Sequence, residues 1–197
     1  MATLFYQGHG SFRLTSDEGI VVYLDPYAGE GYDVPADLIL VTHDHYDHNR
    51  VELPAKKEDT VIITAKEALV NGQYQTFEIK GIKVEAVQAY NVKHDKNQCV
   101  GYVLTVSGKT VYASGDTSRT EDMLNKLPAY HLDYALFPID GVYNMDAVEA
   151  TLCAEKVGAK CNIPIHVEPG ELYNPKKAAY FVPDGRVLLA PNATLRL

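Results

Sequence analysis

The segment Asp37-Leu-Ile-Leu-Val-Thr-His-Asp-His-Tyr-Asp-His-Asn49 constrains this chain more than any other. It opens on a continuous apolar run, Leu38 to Val41, short enough and β-branched enough to predict a buried strand. His43, His45, Asp47 and His48 follow at once. Side chains of extended backbone alternate, so His43 and His45 are expected to share a face and converge at the strand's end. Asp47 and His48, carried onward as the chain turns, can address a second point close by. Imidazole and carboxylate are the ligands of zinc and of harder divalent ions. Three imidazoles crowded at a strand end repel one another on protonation and bury badly without a cation. The chain has 7 histidines in 197 residues, so three within one short motif is improbable as an accident.

The length fits one domain, expected to span residues 1–197. Apolar content of 46% and charged content of 22% supply an ordinary globular core. A net charge of −8 argues against a nucleic-acid surface, which needs clustered lysine and arginine. No apolar run approaches the roughly 18 residues that span a bilayer, so no membrane partner is expected. The first residues lack a charged segment followed by an apolar one, as a secretory signal would have. Cys99, Cys153 and Cys161 are odd in number and follow no framework spacing. They read as reduced thiols, and the chain is expected to be cytoplasmic.

Three short strands are predicted first: Thr3 to Gln7, Ser11 to Thr15 and Ile20 to Leu24. Gly8-His9-Gly10 and Ser16-Asp-Glu-Gly19 supply the turns between them. Beyond the organising segment, Thr60 to Thr64 reads as a strand. Phe77 to Ile79 with Ile82 to Val87 reads as a hairpin, and Val100 to Val106 with Thr110 to Ala113 as another. The second half alternates: a helix over Thr120 to Leu127 halted by Pro128, then a strand over Tyr134 to Ile139. Asp146 and Glu149 form an Asp-x-x-Glu capping box opening a helix that Gly158 ends. A strand over Cys161 to Val167, a short helix over Pro175 to Phe181 and a last strand over Val187 to Ala190 complete the prediction. Strands as hairpins, then strands alternating with helices, suit two packed sheets with helices outside, an α+β class.

Four more residues extend the His43 cluster. His94 lies in the polar connection between the hairpins, Asp116 follows Ser114-Gly115, His166 ends Ile163-Pro-Ile165, and Asp25 ends Val21-Val-Tyr-Leu24. Each is a histidine or aspartate at or just past a strand's end, where loops build sites. His9, between two glycines, reads equally as an exposed turn residue or as a lip of that site. Arg50 beside the motif, Arg119 after the Asp116 turn, Lys93 and Lys96 around His94, and Tyr143 are the groups placed to meet a substrate.

With these motifs in order, the chain resembles the metallo-β-lactamase-fold hydrolase superfamily. The match runs through Thr42-His-Asp-His-Tyr-Asp-His48, His94, Ser114-Gly-Asp-Thr117 and Pro164-Ile-His166. Gly8-His-Gly-Ser-Phe12, Leu24-Asp-Pro26, Tyr90 with His94, and Pro138-Ile-Asp-Gly141 resemble the branch that contains L-ascorbate-6-phosphate lactonase. The resemblance implies a four-layer αββα sandwich of two mixed sheets. It also implies two divalent metal ions, zinc first, with manganese or iron admissible. His43, His45 and His94 would hold one; Asp47, His48 and His166 would hold the other; Asp116 would bridge. Asp25 would stand behind, accepting a ring N–H from a ligating histidine. His45 stands where the di-iron, oxygen-reducing branch typically has glutamate, which favours hydrolysis over redox chemistry.

The expected activity is hydrolysis of an ester, lactone or phosphodiester in a small anionic metabolite. A bridging hydroxide would be the nucleophile, and Asp47 is placed both to ligate and to relay a proton. Two other readings fit the same ligands: a nucleic-acid phosphodiesterase, against which the missing basic patch counts, and a metal-binding protein without catalysis.

Overall fold

The computed structural model describes residues 1–197. In chain order, β1 (Thr3–Gly8), β2 (Ser11–Thr15), β3 (Val21–Leu24), β4 (Ala36–Leu40) and β5 (Lys56–Ile63) come first. A one-turn helix α1 (Ala65–Ala68) and a small hairpin of β6 (Leu69–Val70) and β7 (Gln73–Tyr74) follow. Next are β8 (Thr76–Ile79), β9 (Ile82–Gln88), β10 (Val100–Val106) and β11 (Lys109–Ala113). The remainder alternates: α2 (Glu121–Asn125), a 3-10 turn over Leu127–Tyr130, β12 (Tyr134–Pro138), α3 (Ala147–Val157), β13 (Cys161–Ile165), α4 (Pro175–Ala178) and β14 (Thr194–Arg196).

Two six-stranded sheets form, ordered β14-β1-β2-β3-β4-β5 and β13-β12-β11-β10-β9-β8. In the first, β1, β2 and β3 pair antiparallel while β3, β4 and β5 are parallel. The second repeats the plan: β9, β10 and β11 antiparallel, then β11, β12 and β13 parallel. It follows that β1, β3 and β4 run one way in their sheet, and β9, β11, β12 and β13 one way in theirs. The carboxyl ends of such co-directed strands leave an open edge where loops gather a site. His9, Asp25 and His43 follow the first set; His94, Asp116, Asp140 and His166 follow the second.

Strand alternation builds the core between the sheets. Leu4 and Tyr6, Phe12 and Leu14, Val22 and Leu24, and Leu38 and Leu40 face inward from the first sheet. They meet Val84, Tyr102, Leu104, Val111, Leu136 and Ile163 of the second. The second sheet's other face carries Val103, Tyr112, Ala135 and Phe137 against Met123, Ala150, Cys153, Ala154 and Val157 of α2 and α3. The first sheet's outer face is covered differently. Val21, Tyr23, Ala36 and Ile39 pack under Tyr32, Val34 and Val51, which lie on irregular segments. The α+β sandwich is therefore as expected, with one outer layer thinned to loops.

Several expected boundaries shift. The strand expected from Thr60 begins at Lys56, because an edge strand tolerates the charged, exposed run Lys56-Lys-Glu-Asp59 that reads as loop in sequence. No strand forms over Val187 to Ala190; Arg186 just before it makes one bridge with Asn162, and the segment itself keeps one bond from Val187 N–H to the Asn162 carbonyl. The last strand is instead Thr194–Arg196, paired with Thr3 to Phe5, where three residues give too short a pattern to read. The helix expected to Leu127 stops at Asn125, and Pro128 sits in the first turn of the 3-10 segment. At α3, Asp146 accepts from the N–H groups of Val148 and Glu149, and Gly158 closes the helix left-handed at φ 72°.

Candidate functional site

The chain leaves β4 at Leu40 and bends at once. His43 and His45 converge through that bend, not through strand alternation: the His45 N–H donates to the His43 carbonyl at 3.1 Å. Their rings lie 4.7 Å apart, and His94 comes within 4.5 Å of His43 and 4.6 Å of His45. His94 Nε2 and His45 Nδ1 meet at 2.9 Å. The Asn91 side chain accepts the N–H groups of both Lys93 and His94 and so shapes the loop that delivers His94.

Asp47, His48 and His166 assemble beside this group. His166 Nε2 is 3.9 Å from Asp47 Oδ2 and 3.5 Å from Asp116 Oδ2, and His48 Nε2 is 3.3 Å from Asp116 Oδ1. Asp116 also reaches His94 Nε2 at 4.0 Å, so its carboxylate touches both groups. These spacings suit a cation. Ligand atoms about 2.0–2.1 Å from a tetrahedral zinc stand roughly 3.3 Å from one another. The chemistry agrees: His43 Nε2 and His48 Nε2 are buried with no hydrogen-bond partner, a cost that a cation at the cluster would remove.

Asp25 sits behind this layer. It accepts the Thr42 N–H and hydroxyl, each at 2.7 Å, and the His48 Nδ1–H at 2.9 Å. The carboxylate thereby fixes the His48 tautomer, with Nε2 turned to Asp116. His9 is fully buried, not an exposed turn residue. Its Nδ1 donates to the Glu171 carbonyl at 3.0 Å, its Nε2 lies 3.2 Å from Asp47 Oδ2, and its ring packs 3.8 Å from that of His166. Three of these residues hold left-handed backbone: His9 at φ 55°, Asp25 at 46° and His166 at 43°. Non-glycine residues adopt that region only at a cost, which the surrounding hydrogen bonds offset.

The electrostatics separate the histidines. Burial pushes the His43 imidazole well below its usual range, and the neighbouring His48 adds to it. Burial also lowers His94, against the pull of Asp116. For His48, burial is outweighed by Asp116 and Asp25, which hold the ring well above the ordinary value. His166 is raised in the same way, burial losing to Asp116 and Asp140. Asp116 is held far down despite its burial, by His48 and His166.

The family model of the beta-lactamase superfamily domain matches residues 3–166. This chain belongs to that superfamily. Within it, a UPF0173 metal-dependent hydrolase of Methanoregula boonei is 33% identical over 186 residues, covering 85% of this chain and 83% of the relative. A solved structure assigned to the metal-dependent hydrolases, from Parabacteroides distasonis, superposes with a TM-score of 0.75 at 27% identity, covering 95% and 91% of the two chains. A metallo hydrolase of the archaeon Ignicoccus hospitalis gives a TM-score of 0.76 over 98% and 97%; at 22% identity it speaks to the fold alone. The chain thus stands among the metal-dependent hydrolases of the superfamily.

A cavity of about 600 Å³ opens over the cluster. Its walls include His45, Asp47, His94, Asp116 and His166, with Tyr46, Lys93 and Tyr143 at its mouth. A larger one, about 680 Å³, lies on the far side of the His43 loop and holds none of these five. Of the side chains expected to meet substrate, Tyr143 and Lys93 line the first cavity and Arg50, Arg119 and Lys96 do not. Arg50 turns its guanidinium onto Glu52, two residues on. Arg119 is exposed outside the cavity, beyond the Asp116 turn.

One residue of the site escaped the sequence reading. Asp140 Oδ2 lies 3.1 Å from His166 Nδ1, and Asp140 Oδ1 accepts the N–H groups of Val142 and Tyr143 at 2.7 and 2.9 Å. Burial works against its charge, but His166 and these N–H groups bring its pKa down to about 2. The signal was present: Asp140 follows the strand that ends in Pro138, as Asp25 and Asp116 follow theirs.

Proposed function

We propose that the chain holds two divalent cations, zinc first, and hydrolyses an ester, lactone or phosphodiester bond in a small anionic metabolite. The observation that carries this reading is the division of the cluster. Ligand atoms of His43, His45 and His94 form one close group, those of Asp47, His48 and His166, with His9 beside them, another, and His43, His48 and Asp116 a third that joins the two. Asp116 reaches into both, against one open cavity. Bound there, two cations would lower the pKa of a shared water toward neutrality and polarise the attacked oxygen.

The chain's own groups do the rest. Asp116 holds the two triads in register. Asp47 faces the cavity with one oxygen 3.2 Å from His9 Nε2, and is placed to hand a proton to the leaving group. Asp25 keeps His48 in a single tautomer, and the Glu171 carbonyl holds the His9 ring in place. The net charge of −8 favours a small substrate over a polynucleotide.

The test is metal analysis of the purified chain followed by a panel of esters, lactones and phosphodiesters. Two equivalents of metal are expected, with turnover that chelator abolishes and zinc or manganese restores. Full occupancy without turnover of any member would make the protein a metal binder and defeat the proposal.

A further inference from the structure

The mouth of the 600 Å³ cavity is built from two facing loops, and they are tied together. The Asn91 side chain accepts the Lys93 N–H at 2.8 Å and donates to Asn144 Oδ1 at 2.7 Å. Asn144 donates in turn to Asp140 Oδ2 at 2.6 Å, and Asp140 holds the Tyr143 N–H. Lys93 and Tyr143, from opposite sides of the opening, are therefore set by one chain of hydrogen bonds. Asn144 and Asp140 are both buried, so the bridge is shielded from water.

Lys93 is the one lysine or arginine on the cavity wall. It is exposed and takes part in none of the protein's ion pairs, whereas nearby Arg50 is engaged by Glu52 and Lys177 by Glu168. The unpaired ammonium is a receptor for one negative group at the rim, where exposed Asp95 two residues on and exposed Asp44 in the His43 loop disfavour further ones. Two tyrosines, Tyr46 and Tyr143, share the cavity wall with Lys93, and Val92 and Val142 are their exposed chain neighbours. Tyr46 is 69% exposed, Val92 86%, Val142 59% and Tyr143 43%, and Tyr46 stands edge-on to Tyr27 at 5.9 Å. Two aromatic side chains lining one opening of this size are what a small-molecule site presents to a flat apolar group.

We infer that the substrate carries a single negatively charged group, held by Lys93, and a flat apolar part packed against Tyr46 and Tyr143. The inference rests on the hydrolase reading above and narrows its substrate class. A carboxylate and a phosphate monoester share the required chemistry.

The metal-loaded chain is tested on aryl esters that differ only in bearing no charge, one carboxylate or one phosphate group. Lys93→Met is expected to raise KM for the preferred charged ester about tenfold, with kcat and the neutral ester within twofold, and Lys93→Arg to restore KM. The carboxylate and phosphate arms tell the two anions apart. Independently of turnover, calorimetry follows binding of benzoate, phenylphosphonate and acetate. An aryl anion is expected to bind at least tenfold tighter than acetate, and Tyr46→Ala with Tyr143→Ala to erase that difference. Equal KM and equal anion binding in wild type and Lys93→Met would overturn the inference. Absence of turnover across all esters would defeat the hydrolase reading instead, and the binding arm would still decide for or against Lys93.

Discussion

Asp140 Oδ2 lies 3.1 Å from Nδ1 of His166, the ring nitrogen turned away from Asp116. The same arrangement recurs at His48, whose Nδ1 donates to Asp25 at 2.9 Å. His48 and His166, two of the three histidines grouped with Asp47, thus each have a carboxylate behind the ring, hydrogen-bonded at His48 and in close contact at His166. His9 has the Glu171 carbonyl there. In the other group His43 Nδ1 meets only the Thr42 hydroxyl at 3.0 Å, and His94 Nδ1 is buried without a partner. A carboxylate behind an imidazole fixes its tautomer and raises its basicity as a ligand.

Removing that backing weakens the site without removing a ligand. Asp140→Ala and Asp25→Asn are each expected to lower metal affinity roughly 10–100-fold, read by competition with a chromogenic chelator. Affinity unchanged in both would take the two carboxylates out of the metal's support.

The asymmetry between the groups sets an order of filling. Asp47 brings a carboxylate to its group, and His48 and His166 there are backed by carboxylates, whereas the other group has imidazoles alone, with His45 exposed. The first equivalent of metal is expected at Asp47, His48 and His166. His94→Ala should then keep about one tight equivalent, while Asp47→Ala should lose the tight one and retain a weak one. Stoichiometric titration followed by metal analysis distinguishes them; the reverse pattern would invert the order.

Glycine 10 serves the site by being small. A Cβ built there would stand 2.9 Å from Cε1 of His48, closer than carbon atoms approach, and the His48 ring is buried with no room to swing. Gly10→Ala is expected to cost about 1–3 kcal/mol of stability as overpacking. It should also lower metal affinity, because the ring displaced is a ligand candidate. Thermal unfolding with and without added metal measures both; a variant indistinguishable from wild type would mean that the ring gives way freely.

Much of this was legible from residues alone, for a physical reason. Buried strands announce themselves by apolar runs, and most of the site residues follow such a run, so Asp25, the His43 motif, Asp116 and His166 stood out together, while His94 lies in a polar connection. Asp140 obeyed the same rule but was read only as part of a motif, since its work lies behind His166. What the sequence concealed was long-range pairing. Lys56-Lys-Glu-Asp59 carries no apolar signal, yet the first sheet's edge accepts it. His9 buried itself through partners at Asp47 and Glu171, distant in the chain. Lys93 and Tyr143 share a rim only because Asn91 and Asn144 join their loops.

The histidine shifts also fix how the metal-free protein responds to pH. His48 and His166 sit above the ordinary imidazole pKa of about 6.5, and His43 and His94 sit below it. A raised group stabilises the fold fully below about 6.5 and loses that contribution as pH climbs through its folded value. A lowered group does the opposite: below about 6.5 the unfolded chain takes up a proton that the folded one refuses, so stability falls as pH drops toward the folded value. Metal-free protein is therefore expected to be most stable near pH 6.5 and to lose Tm on both sides. Metal loading requires His48 and His166 to be neutral, so uptake should release protons and the alkaline loss should disappear, while the acid loss remains as protons compete for the ligands. Unfolding scans of chelator-treated and zinc-loaded protein from pH 5 to pH 9 check this. A metal-free Tm that rises steadily through pH 8 would show that Asp25, Asp116 and Asp140 do not hold protons on the rings they face.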